Sequence, residues 1–454
     1  MATTAATAKR RKAGAAGAPK SGTASVSFRA KVRMYRGLGD CLLVTLPQDG
    51  GNHFILIDCG ILLGTPNAKE WMTEVVEDIV ATTEGKVDLL LATHEHWDHL
   101  SGFVQAADSF KKLTVGEIWM AWTEDPADSL ARKLRGEREA ALAALRLTAT
   151  RLRLAADAGA AEAIEGLLEF FGAGKGASTH DAVEAVRAMT AKPRYCRPKD
   201  PPIALKSGAQ LYVLGPPEDE TLIKKTRPSR RNPETYGLSL ELDDFRANVE
   251  ATLGPQVPES PFSTLHAIPM PVAEEMDFFK AHYWDWGGDP WRRIDSAWLE
   301  RSTEFALQLD SATNNTSLVL AIELADGDVL LFAADAQVGN WLSWQDLTWS
   351  ANGRTITGPD LLRRTVVYKV GHHGSHNATL REQGLEMMDN LCFALVPVDK
   401  QIATAKGWYE MPLKELIATL AAKARNGVLQ SDENLPATIA GKAAETRLYI
   451  EVTI

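Results

Sequence analysis

The stretch LLLATHEHWDHLSG, Leu89 to Gly102, constrains this chain more than any other. The apolar run VDLLLAT has no helical spacing and reads as a strand buried on both faces. It runs straight into three histidines and an aspartate within six positions. His94 and His96 are two apart, so the period of a strand puts both imidazoles on the same side. Asp98 and His99 come next, as the chain turns towards a helix. Two donors pointing one way and two folding back from the turn suit two adjacent metal ions better than one. Nitrogen and carboxylate donors suit zinc, with manganese or iron as alternatives.

Other strand ends carry the same kinds of residue. Asp335 closes the apolar run VLLFAAD; its ordinary alternative is an N-cap for the AQVGNWLSW that follows. His372 and His373 close TVVYKV, between Gly371 and Gly374. At least one is expected to be a ligand, and the other to orient a group or move a proton. Asp58 ends FILID and is expected to hold the His94–His99 loop from behind. Ligand-type residues at several strand C-termini, where loops converge, point to one site on a layered α/β protein.

The rest of the chain bounds this reading. With 454 residues there is room for two or three domains, or for one large domain with insertions. Residues 1–25 are small, basic and poor in large apolar side chains, and read as a disordered tail. Residues 26–454 are read as one domain with two insertions. The first, about 103–207, is mostly helical, with Leu130, Leu134, Ala141 and Leu145 spaced like one helix face. The second, about 218–311, holds a basic run and a tryptophan cluster. The four cysteines form no CxxC pair and read as thiols in a reducing, cytoplasmic compartment. No apolar run approaches the roughly 20 residues that span a bilayer. A net charge of −10 argues against a surface that coats nucleic acid, but leaves room for a local basic groove.

In this order the pieces resemble the metallo-β-lactamase superfamily, and within it the soluble hydrolase domain of ComEC-type DNA-internalisation proteins. The residues that carry the resemblance are GLGDCLLV, ILIDCG, THEHWDHLSG, VLGPP, NNTSLVL, LLFAADA and YKVGHHGSHN. It implies an α/β fold, the αββα sandwich, with helical and irregular insertions and two divalent ions at one edge. His94 and His96 would hold the first ion, Asp98 and His99 the second. Asp335 would bridge them, and His372 or His373 would complete the second position. Where many members carry a third histidine for the first ion, this chain has Asn314, Asn315 and Ser317, and Asn315 is expected to support the site. The amide leaves zinc or manganese open, with zinc the first expectation. The usual glycine before the bridging aspartate is Ala334. The membrane part of DNA-uptake proteins is absent, so direct DNA import is not expected.

Two divalent ions, two carboxylates and a hydroxide leave a positive centre, which suits an anionic substrate. The expected reaction is attack by a metal-activated water, most readily on a phosphodiester of DNA or RNA. Asp98 and His376 are the candidate catalytic residues, with His376 as general acid. Lys224, Lys225, Arg227, Arg230 and Arg231 form a candidate phosphate path. A small-molecule hydrolase of a lactone, thioester or β-lactam is the enzymatic alternative. A metal-stabilised scaffold whose helical insertion binds a protein partner is the non-enzymatic one. No membrane partner is expected.

Overall fold

The computed structural model describes residues 29–154, 158–172, 178–226, 268, 270–284, 306–351, 353–439 and 441–454. The tail at residues 1–25 lies outside them, as do Arg227, Arg230, Arg231 and the tryptophans 286, 291 and 298.

Two sheets are packed face to face. The first runs in the order Ala443–Glu445, Tyr449–Thr453, Lys31–Tyr35, Leu42–Gln48, Gly51–Ile57, Lys86–Ala92, Thr114–Ala121, Arg194–Cys196. The second runs Gly427–Gln430, Phe393–Val396, Thr365–Lys369, Val329–Phe332, Val319–Glu323, Gln210–Gly215, Ile203–Ala204. In each, an antiparallel part adjoins a parallel part: Gly51–Ile57 pairs in parallel with Lys86–Ala92, and Val329–Phe332 with Thr365–Lys369. Parallel strands need both faces covered, and three apolar layers cover them. Ile55, Ile57, Leu89 and Leu91 of the first sheet meet Leu320, Ile322, Leu330 and Leu395 of the second. On the outer face of the first sheet, Leu56 and Leu90 pack on Val75, Val76 and Ile79 of the helix Ala68–Thr83, and on Phe103. On the outer face of the second, Ala321, Leu331 and Tyr368 pack among Trp341, Trp344, Leu361 and Leu416. This is the expected αββα sandwich.

The range 103–207 is not all insertion. Thr114–Ala121 and Arg194–Cys196 are strands of the first sheet, next to Lys86–Ala92. The helical part is Ser129–Leu154, Ala158–Leu168 and Thr179–Ala188. The buried face of its first helix runs Ala131, Arg138, Leu142, Leu145, Ala149, with Leu130, Leu134 and Ala141 only half-buried. The face is rotated because Arg138 turns inwards to pair with Glu95 of the histidine loop.

That loop is clamped by backbone. Asp40 N–H donates to Asp98 O at 2.9 Å, Gly60 N–H to Asp40 O at 2.9 Å, and Cys59 N–H to His99 O at 2.8 Å. Ser101 Oγ accepts from Ile61 N–H at 2.9 Å and donates to Ile61 O at 3.0 Å. Three chain segments cross here, and a Cβ on Gly60 would lie 2.3 Å from the carbonyl of Asp98. Gly60→Ala is therefore expected to destabilise the protein by about 1–3 kcal/mol, measured as a lower urea midpoint with an unchanged m-value.

Candidate metal centre

His94, His99 and His373 are each anchored by one ring nitrogen, which frees the other. Asp58 Oδ2 accepts from Thr93 Oγ1 at 2.6 Å and from His99 Nδ1–H at 2.7 Å. Because the Thr93 hydroxyl donates to Asp58, its Oγ1 is left to accept from His94 Nδ1–H at 3.1 Å. Pro397 O accepts from His373 Nδ1–H at 2.7 Å. The Nε2 atoms of His94, His99 and His373 are thereby turned towards the interior. This carboxylate or carbonyl backing is the arrangement that orients metal-ligating imidazoles.

The freed atoms gather into two groups. In one, His99 Nε2 is 3.1 Å from Asp335 Oδ2, and His373 Nε2 is 2.9 Å from Asp98 Oδ2 and 4.0 Å from Asp335 Oδ2. Asp98, His99, Asp335 and His373 are all buried and offer one donor atom each within 4.8 Å of one another. In the other, His94 Nε2 is 3.1 Å from His96 Nδ1 and 3.1 Å from Asn314 Oδ1. Asp98 Oδ1 and His96 Nε2 are buried with no hydrogen-bond partner. Unmet acceptors, clustered carboxylates and convergent imidazole nitrogens fit divalent cations.

The local charges agree with that fit. Burial disfavours a charged imidazole at His99, but Asp335, Asp40, Asp98 and Asp58 outweigh it and hold its pKa well above the usual value. His373 is raised too, against burial, by its hydrogen bond to Asp98 and by Asp335. Burial and the neighbouring His99 push His94 well down, and His96 falls to about 3. Asp335, despite burial, is held well below the carboxylate range by His99 and Lys369.

The structure separates His372 from His373. Both have left-handed backbone, with φ of 42° and 53°, a strained conformation for residues with a side chain. His372 N–H donates to Asp335 Oδ1 at 3.0 Å, which helps fix the turn. Its ring points elsewhere: Nδ1 meets Ser375 Oγ at 2.7 Å and Nε2 lies 3.4 Å from Asn314 Nδ2. Only His373 reaches the group around Asp335. Ala334 also has positive φ, at 46°, so this chain keeps the glycine-type turn without the glycine.

Other candidate residues fall elsewhere. His376 is exposed and makes no hydrogen bond to the cluster among the described residues. Asn315 faces away: Nδ2 donates to the carbonyls of Leu222, Ile223 and Lys225, and Oδ1 accepts from Gln337 and Asn340 N–H. It ties the second insertion to the core, and its neighbour Asn314 faces the histidines. Lys224 is ion-paired to Glu137 at 2.9 Å and Glu220 at 2.6 Å, which neutralises it as part of a phosphate path. The backbone carbonyl of Lys225 is one of those that Asn315 ties down.

Sequence reasoning missed three charged groups. Lys369, 1% exposed, donates to Ala334 O at 2.9 Å and Asp335 Oδ1 at 3.2 Å, and pairs with Asp40. Its polar place in the apolar run TVVYKV was the available signal. Asp40 closes the GLGD turn. Asp310 comes from helical residues 306–314 and had no local signal. With Asp40, Asp58 and Asp310 added and only Lys369 against them, the extended centre is less positive than a count of Asp98 and Asp335 implies. Phe171 stands edge-on to His96, ring centroids 4.8 Å apart, and Phe170 stacks on Trp408. The first insertion therefore walls the site.

A four-layer α/β fold brings a buried His/Asp cluster with the donors of a metal site to the strand ends. Residues 34–178 match the family model of the metallo-beta-lactamase superfamily, whose members are generally metal-dependent hydrolases. The match covers His94 to His99 but ends before Asp310, Asp335 and His373, which only the fold brings to the motif. It is at the level of the superfamily and does not reach the ComEC-type branch. No curated protein matches the chain. No helix among the described residues is long and apolar enough to cross a membrane.

Two outcomes follow. In the metal-free protein the raised His99 and His373 carry protons at neutral pH, and a metal ion has to displace them. Uptake should release protons, and affinity should weaken by about ten- to a hundredfold per unit as pH falls, measured by calorimetry in buffers of different ionisation enthalpy. Lys369→Met removes the ammonium that pairs with both Asp40 and Asp335 and leaves them to share His99, and should cost the metal-free protein about 3–5 kcal/mol, measured by chemical denaturation.

Proposed function

We propose that this protein is a metal-dependent hydrolase of phosphodiesters, nuclease-like in its reaction. The observation that carries the reading is the donor set beside His94 and His96. An amide oxygen, Asn314 Oδ1, faces His94 Nε2 at 3.1 Å where a third imidazole would make the position zinc-like. Oxygen donors suit harder ions such as manganese, and hard ions also take phosphoryl oxygens. Two bound divalent ions would acidify a water towards neutrality and draw charge from the attacking and leaving oxygens of an in-line displacement.

The chain's own residues do the rest. His94, His96 and Asn314 are the candidate donors at the first position, and Asp98, His99 and His373 at the second, with Asp335 between them. Asp58 fixes the tautomer of His99 and, through Thr93, that of His94. Lys369 keeps Asp335 ionised. His372 has its ring held by Ser375 and turned to Asn314, outside the second position. Phe170 and Phe171 restrict water on the side of His96.

The test is hydrolysis of bis(p-nitrophenyl) phosphate by purified protein supplied with zinc or manganese. Turnover is expected, higher with manganese, and Asp335→Ala should fall to the background rate. Absence of turnover with either ion, in a folded protein that holds metal, would refute the phosphodiester reading and direct assays to lactones and thioesters.

A further inference from the structure

Asp310 is outside the group around Asp335, yet it is 4% exposed and packed beside the cluster. The helix that carries it, residues 306–314, ends at Asn314. One carboxylate faces three groups. Its Oδ2 accepts from Asn314 Nδ2–H at 3.1 Å and lies 4.0 Å from His372 Nε2. Its Oδ1 lies 3.8 Å from His96 Nε2, and among the described residues neither of those two atoms has a hydrogen-bond partner. A carboxylate placed only for stability would be expected to have its acceptors met. This one is near two more carboxylates, Asp98 and Asp335, which makes its position costly to the metal-free fold.

We propose that Asp310, a positioning residue supplied by the second insertion, completes the first metal position by orienting two of its donors. The proposal rests on the two-ion reading above. By accepting from Asn314 Nδ2, Asp310 fixes the amide with Oδ1 towards His94 Nε2. The flipped amide would turn an NH2 group, which cannot bind a cation, into the site and set its oxygen against the carboxylate. Asp310 Oδ1, 3.8 Å from His96 Nε2, is the acceptor that a proton on that nitrogen would approach, and a proton held there leaves Nδ1 bare beside His94 Nε2. His96 is the one clustered histidine whose outward nitrogen has no partner within the motif. His94 has Thr93, His99 has Asp58 and His373 has Pro397 O. Asp310 fills that gap from a distant part of the chain.

The test is the isosteric Asp310→Asn in the full chain. Its NH2 would donate to His96 Nε2 and move the imidazole proton to Nδ1, where it blocks the metal position. Manganese and zinc are titrated separately into metal-free protein, and bound metal is counted after gel filtration. Wild type is expected to bind two equivalents. Asp310→Asn should keep one and bind the other about ten- to a hundredfold more weakly, while its metal-free form melts no lower than wild type. Two equivalents with unchanged affinities in the variant would overturn the inference. So would a lowered metal-free melting temperature with both equivalents weakened together, which marks a structural role. Wild type that binds one equivalent overturns the inference and leaves the Asp335 group standing. Wild type that binds none overturns both.

Discussion

The rest of this structure depends on how a crowd of buried carboxylates is kept from repelling itself apart. Asp40, Asp58, Asp98, Asp310 and Asp335 are each 4% exposed or less, and charges of one sign at that depth would drive the loops apart. Lys369 bridges Asp40 and Asp335, and the raised imidazoles of His99 and His373 answer Asp335 and Asp98. Two divalent cations would take over from those two imidazole protons. The backbone clamp at Gly60 holds together the loops that carry these groups.

The two insertions are part of the centre. The first sends Arg138 to Glu95, between the two leading histidines, and Phe171 against His96. The second provides Asp310, which holds Asn314 of the core, and Asn315 pins the segment around Leu222 to Lys225 onto the core. A region whose composition suggests only packing or a partner surface therefore shapes the half of the site that contains His94 and His96. The superfamily match stops at residue 178, so it includes His94, His96 and Phe171 of that half but neither Asp310 nor Asn314.

Much of this was legible in the sequence. The strands that end at the histidine motif, at Asp335 and at His372 follow from apolar runs, and the sandwich from the resemblance that the motifs carry. Asp58 lies behind the histidine loop and accepts from His99 Nδ1–H and Thr93 Oγ1–H. What failed to show was anything that depends on side-chain direction at a turn. Asn314 and Asn315 are equivalent as letters, yet one faces the histidines and the other the loop carbonyls. His372 and His373 are adjacent and both left-handed, and only the second points inwards. The helix face in the first insertion was misread by one residue because a buried arginine has the same sequence signature as an exposed one.

The sequence by itself determined that a strand ends in His94, His96, Asp98 and His99, because a two-residue period and an apolar run are local facts. It also determined that Asp335 and the His372–His373 pair end strands of the same kind. Only the tertiary structure decided which atoms meet. His373 reaches Asp98 across 275 positions of chain, and His94 reaches Asn314 across 220. Contacts at that separation are set by how two sheets stack and where an insertion returns, and no local pattern encodes them. Asp310 is the extreme case: an aspartate with no motif around it, made part of the site by the packing of one helix.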